Sequence, residues 1–254
     1  MEQADLHPHR SRYWLNPTIT DPAAHDAAVA RVCDIYEQAP ILDALGVHVV
    51  CSDEKTSIQA LERAAPTKPT RPGLDELREF EYLRHGTLCL TANFEVATGR
   101  VIAPTVGATR SEQDFLGHVQ QTVATDPQAG WVFVVDNLNT HCSESLVQWV
   151  AELEGTAADL GEKGKRGILH NTGSRSAFLS SLTHRVRFIY TPKHCSWLNQ
   201  VEIWFSILSR RALRRASFAS LDELATRLRE FIVYFNRILA KPFRWTYKGR
   251  PLAA

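Results

Sequence analysis

The stretch that most restricts the fold is WVFVV, residues 131–135, followed at once by Asp136 and Asn137. Three β-branched and two aromatic residues in a row leave no face for water. The segment is therefore expected as a strand in the middle of a sheet, covered on both sides. Such a strand is rigid, and its rigidity fixes where the carboxylate at its end will stand.

The neighbouring segments fit around that strand. VHVVCSDE, from Val47, reads as a short strand ending in acid; TLCLTANFEV and RVIAPTV read as a hairpin with Gly99 in the turn, and RVRFIY as a last strand stopped by Thr191-Pro192. Ser111 with Asp114 opens a helix carrying Phe115, Leu116, Val119 and Val123, and Ser143 caps one with Leu146, Val147, Val150 and Leu153 inward. A helix from about residue 199 to 215 presents Val201, Trp204, Phe205, Leu208 and Ala212 on one face. Another begins with the capping box Ser220 and Glu223 and carries Leu221, Leu224, Ala225, Leu228, Phe231, Ile232 and Phe235. Antiparallel strands followed by βα units give an α/β protein, a ribonuclease-H-like mixed five-stranded sheet with helices on both faces.

Two segments stand outside this pattern. Residues 1–40 read as an N-terminal arm or linker, basic and aromatic at first (HPHRSRYWLNPTITDP), then a helix opened by Asp21-Pro22 and ended by Pro40. Residues 41–254 form the main domain, with an inserted, mobile loop at about 154–184, glycine-rich and without sustained periodicity. The five cysteines are odd in number and make no CxxC pair, which argues against disulfides and zinc and for a reducing cytoplasm. No apolar run approaches a membrane span, so no membrane partner is expected. The net charge of +1 gives no overall field for nucleic acid, so any DNA-binding surface must be local.

Three carboxylates occupy matching places. Asp53 ends the first strand, Asp136 ends the apolar strand, and Glu202 lies in the first turn of the helix after the last strand. Groups at the carboxyl ends of strands converge on one crevice. Three acids there repel one another unless cations sit among them, and oxygen donors without a convergent His or Cys set suit Mg²⁺ or Mn²⁺. Two such ions, about 4 Å apart, clamp the attacking and leaving oxygens of a phosphoryl displacement. Singly, each acid also reads as an ordinary turn or first-turn residue.

The supporting residues carry two readings each. Asn137 and His141 would position a phosphate or attacking water, or simply form the turn and helix start. Asn199 would orient Glu202 or cap its helix, and capping is favoured. Trp197 would stack on a base, whereas Trp204 is assigned to the core. Lys163, Lys165 and Arg166 in the inserted loop, with Arg210, Arg211, Arg214 and Arg215 at a helix end, are candidate DNA contacts, as are Lys241, Arg244, Lys248 and Arg250; the helix dipole alone also accounts for the arginines.

CSDEKTSIQALER, VVDNLNTH and YTPKHCSWLNQVEIWFSIL resemble the three catalytic blocks of DDE transposases of the mariner superfamily, in its bacterial insertion-sequence branch, and KPFRWTYKG resembles that branch as well. The likeness runs from about Val47 to the C-terminus and touches HPHRSRYWLN. It implies metal-dependent DNA cleavage and strand transfer, with Asp53, Asp136 and Glu202 as the catalytic, metal-binding triad and two Mg²⁺ or Mn²⁺ ions. It also implies double-stranded DNA (element ends and target) as partner, a homodimer on DNA, and a bacterial, nucleoid-associated setting. The 66 positions from Asp136 to Glu202 exceed the usual mariner spacing, and the excess coincides with the inserted loop. The family's N-terminal helix-turn-helix modules are not found ahead of the arm. That leaves two further readings: a catalytically silent remnant acting as a DNA-binding or dimerising inhibitor, and a structure-selective nuclease of the same fold.

Overall fold

The apolar run ahead of Asp136 is paired along both of its edges, as its composition requires. The computed structural model describes residue 19 and residues 21–156 and 159–247. Its strands are β1 (Val47–Arg63), β2 (Tyr82–Glu95), β3 (Val101–Gly107), β4 (Gly130–Val135) and β5 (Val186–Tyr190). They lie in the order β3-β2-β1-β4-β5, one mixed sheet. β4 runs parallel to β1, with Val47 opposite Gly130 and Cys51 opposite Val134, and parallel to β5 on its other edge. β2 runs antiparallel to β1 and β3.

Helices α1 (Pro22–Ala44), α2 (Glu112–Val123), α3 (Glu144–Leu153), α4 (Thr172–Leu179), α5 (Val201–Leu208) and α6 (Leu221–Tyr234) cover both faces. The period of two along the strands sorts the core into two layers. Val49, Cys51, Val132 and Val134 pack with α1, α5 and α6. Val50, Trp131, Phe133 and Val135 pack with α2, α3 and α4. Each large side chain fully buried in this way contributes about 1.5–3 kcal/mol. The helix starts are fixed locally: Ser111 and Asp114 cap α2 reciprocally, and Ser143 accepts from the Leu146 N–H at 3.2 Å. In the β2–β3 turn Gly99 has φ +71°, and a Cβ there would stand 2.0 Å from the Lys241 carbonyl oxygen, so only glycine fits.

Several expectations are corrected. Pro40 does not end α1, which continues to Ala44. An interior proline costs about 3 kcal/mol. Here its ring is exposed, and Val29, Val32, Cys33, Ile35, Tyr36 and Ala39 hold the helix against the sheet, so burial outweighs the lost hydrogen bond. The segment read as an aperiodic mobile loop contains α4, capped by Asn171. Only Arg175 and Leu179 of its eight residues are buried, too few to set a visible period; the Arg175 guanidinium donates to the Cys142 carbonyl at 2.7 Å and the Leu169 carbonyl at 3.1 Å. α5 ends at Leu208 and passes into a π-helical turn, Ser209–Leu213, and Leu153 faces outward. The basic, aromatic start of the arm, with Lys248 and Arg250, lies outside the described residues.

Candidate active site

Asp53 does not end its strand. Parallel pairing of β1 with β4 stops at Cys51, but β1 runs on to Arg63 as a two-stranded ribbon with β2, and Asp53 sits opposite Ala92. The ribbon forms because β2 supplies partners for β1 as far as Tyr82 opposite Arg63. Asp136 follows β4 directly. Carried two residues past Cys51 and Val134, the same register sets Asp53 beside Asp136, and both have the parity of the α5 layer. Glu202 is exposed in the first turn of α5, in that layer.

The three acids feel one another. Burial pushes the Asp53 carboxyl up to about 7, with the charges of Asp136, Glu202 and Glu54 adding to it and the Glu54 N–H opposing. Burial also works to raise Asp136, but a hydrogen bond and charge from His141 outweigh it and hold that carboxyl below its ordinary value. Asp136 Oδ1 takes two donors, His141 Nδ1 at 2.7 Å and the Leu138 N–H at 2.9 Å. Among the described residues, one trio of ligand atoms lies entirely within 4.8 Å, and it is Asp43, His48 and Glu95 at the other end of β1, where His48 Nδ1 and Glu95 Oε1 pair at 2.6 Å. Asp53, Asp136 and Glu202 stand farther apart than that, the spacing expected of like charges. Oxygen donors with this much shared negative charge fit a hard divalent cation.

The model of the DDE superfamily endonuclease family matches residues 48–225, well over half of the chain and inclusive of all three acids. The chain belongs to the DDE superfamily of endonucleases. No curated protein matches it in sequence. Among solved structures, this chain is similar to the Mos1 mariner paired-end complex with Mn, at TM-score 0.52 and 12% identity over 92% of this chain and 61% of that one. A Mos1 transposase paired-end complex with left transposon end gives TM-score 0.51 and 12% identity over 91% and 60%. The likeness is one of fold, and the chain spans about three fifths of each of those chains.

The supports of the site differ in part from those expected from the sequence. Asn199 does not cap α5; the N-cap is Gln200, without a side-chain bond. Fully buried, Asn199 instead donates to the Ser52 carbonyl at 3.1 Å, pinning the start of α5 to β1 just before Asp53. Asn137 donates to the Thr191 carbonyl and so ties the loop after β4 to the end of β5. His141 is fully buried, and its ring bonds to Asp136 and Glu54 raise it to about 9 against the burial that lowers it. Trp204 is core, whereas Trp197 is half exposed and meets Tyr247 edge-on.

Glu54 and Phe115 have a place here that the sequence reading missed. Glu54 is the last residue of the segment expected as a strand ending in acid, and its side chain is 3% exposed. The alternation of β1 carried the signal, since residue 54 shares the parity of Val50 and points to the α2 layer. Phe115 stacks on His141 with centroids 4.2 Å apart. The loop cations are engaged with acids: Lys163 with Glu144 at 3.5 Å, and Lys165 with Glu162 and Arg166 with Asp159 at 2.5 Å. Arg210, Arg211, Arg214 and Arg215 are exposed and, among the described residues, outside any ion pair. Lys55, Arg63 and Arg214 line a cleft of about 310 Å³ along the β1 ribbon.

Proposed function

We propose that this chain is the catalytic domain of a DNA transposase, of the bacterial insertion-sequence branch of the mariner superfamily, that cleaves DNA and transfers the freed strand. The reading rests above all on the register of β1 and β4, which carries Asp53 and Asp136 to one sheet edge on the face where α5 presents Glu202. Membership of the DDE superfamily supports it, as does a fold shared with the Mos1 paired-end complexes, one with Mn and one with a left transposon end.

Asp53, Asp136 and Glu202 would hold two Mg²⁺ or Mn²⁺ ions, Glu202 by its exposed side chain. When bound, such ions supply charge stabilisation and nucleophile activation for in-line phosphoryl displacement. The protein's own part is placement. Asn199 sets the start of α5 against β1, His141 sets Asp136, and Asn137 fixes the loop between β4 and β5. Arg210, Arg211, Arg214 and Arg215, with Lys55 and Arg63 in the adjoining cleft, contact phosphates of element ends and target; Lys163, Lys165 and Arg166 do so by exchanging their acidic partners. The catalytic domain takes in α1, which runs across residue 40 and packs into its core, and works as a homodimer on double-stranded DNA.

Nicking of supercoiled plasmid in Mn²⁺, wild type beside Asp136→Asn, tests the reading. Cleavage by the wild type alone is expected; equal nicking by both sinks it. Transfer of a pre-cleaved end into target DNA separates a transposase from a nuclease of the same fold.

A further inference from the structure

Glu54 touches both aspartates of the site by different routes. Its main-chain N–H donates to Asp53 Oδ1 at 2.8 Å. Its carboxylate lies 3.2 and 3.3 Å from His141 Nε2, and the other nitrogen of that ring, Nδ1, meets Asp136 Oδ1 at 2.7 Å. Both ring nitrogens thus lie within hydrogen-bond reach of carboxylate oxygens, Nδ1 of Asp136 and Nε2 of Glu54. The ring cannot drift. Phe115 lies against it, and the Tyr190 hydroxyl donates to the His141 carbonyl at 2.9 Å.

The oxygens left over follow from this count. Asp136 Oδ1 is occupied by His141 and the Leu138 N–H, and Asp53 Oδ1 by the Glu54 N–H. One oxygen of each aspartate, Oδ2, remains for a ligand.

We propose that Glu54 is a positioning residue that couples the two aspartates, holding Asp53 through its own backbone and Asp136 through His141, so that the two carboxylates keep a fixed orientation with Oδ2 of each clear of these bonds. The proposal rests on the metal-site reading above. A buried Glu–His pair that served stability alone would not need its third partner to be Asp136.

Mn²⁺ binding to the DNA-free protein, followed by calorimetry and by the electron paramagnetic resonance of free Mn²⁺, tests it with Glu54→Gln, Glu54→Asp and His141→Gln. Loss of an outer partner costs roughly 10–100-fold in metal affinity, and all three variants are expected in that range. Simple charge predicts otherwise: Glu54→Gln weaker and Glu54→Asp unchanged. That pattern, or wild-type affinity in all three with only a lowered melting temperature, overturns the coupling. If His141→Gln does not fold, Glu54→Asp still decides, since it keeps the charge and shortens the reach. Wild-type protein whose Mn²⁺ binding survives Asp136→Asn unchanged instead brings down the metal-site reading, and this proposal with it.

Discussion

On the side of the sheet covered by α1, α5 and α6, the candidate site receives Glu202, exposed in the first turn of its helix and placed by Asn199 behind it. On the side covered by α2, α3 and α4 it receives no member of the acidic trio, but the side chains of His141 and Glu54, both buried, hydrogen-bonded to each other and, through His141, to Asp136. The first layer offers a ligand that can move; the second fixes two that cannot. A site that must gather charge only when cations arrive needs both, because three rigid carboxylates at single-ion spacing would oppose folding. Loss of Glu202 on the α5 side should therefore cost chemistry with little stability, and loss of the His141 support on the α2 side should cost both.

The largest expected effect is at the acids themselves. Glu202→Gln and Asp136→Asn should each reduce plasmid nicking by more than the roughly 100-fold that marks loss of an outer partner. Because Glu202 is exposed, its variant should melt within a degree or two of the wild type; a large fall in melting temperature would erase the contrast between layers. Core truncations sharpen it next. Leu228→Ala in the α6 layer should cost about 2–5 kcal/mol and Phe115→Ala about 3–5 kcal/mol in denaturant melts. Only the second, by freeing the His141 ring, should also weaken Mn²⁺ binding.

How much of this was legible depends on which interactions are local. The strand ahead of Asp136, the β2–β3 hairpin around Gly99, and the caps at Ser111, Ser143 and Ser220 could be read because period and turn chemistry lie within a few residues. The continuation of α1 through Pro40 could not, since it depends on packing against strands far along the chain. Asn199 looked like a cap because capping is the local use of asparagine, whereas its partner, the Ser52 carbonyl, is 147 residues away. Glu54 was the informative miss. Its parity was visible, but a carboxylate facing a core is discounted until a buried cation such as His141 is known to lie opposite.

A further asymmetry concerns protons. Both fully buried histidines among the described residues, His118 and His141, belong to the α2 side. Burial, with the charge of His141, pushes His118 from its ordinary 6.5 down to about 3, and Thr105 Oγ1 lies 3.0 Å from its Nδ1. The unfolded chain then binds a proton that the folded chain refuses between about pH 3 and 6.5. Stability from this group is complete above about 6.5 and is lost progressively as pH falls towards 3. Asp53, raised to about 7, keeps a proton in the folded chain over the same range and opposes that rise, so the difference is the test: in denaturant melts from pH 4 to 7, His118→Gln should lose about one proton of slope relative to the wild type. An identical slope in the variant would assign the acid limb elsewhere.

The smallest effect tests whether two layers are enough. Ser57 holds φ +55° where the β1–β2 register shifts between Lys55 and Ile58, beyond the reach of β4. A left-handed backbone costs an L-residue about 1–2 kcal/mol. Glycine removes that strain but costs roughly 0.5–1 kcal/mol of extra chain entropy on folding. Ser57→Gly should therefore stabilise by no more than about 1 kcal/mol, read as a small rise in denaturation midpoint. Bulges also re-aim side chains beside active sites, and Asp53 lies four residues away on the same strand. If only the helical layers place the acids, Mn²⁺ affinity should not change. A shift in affinity at unchanged stability would make the ribbon itself a third element that aims Asp53.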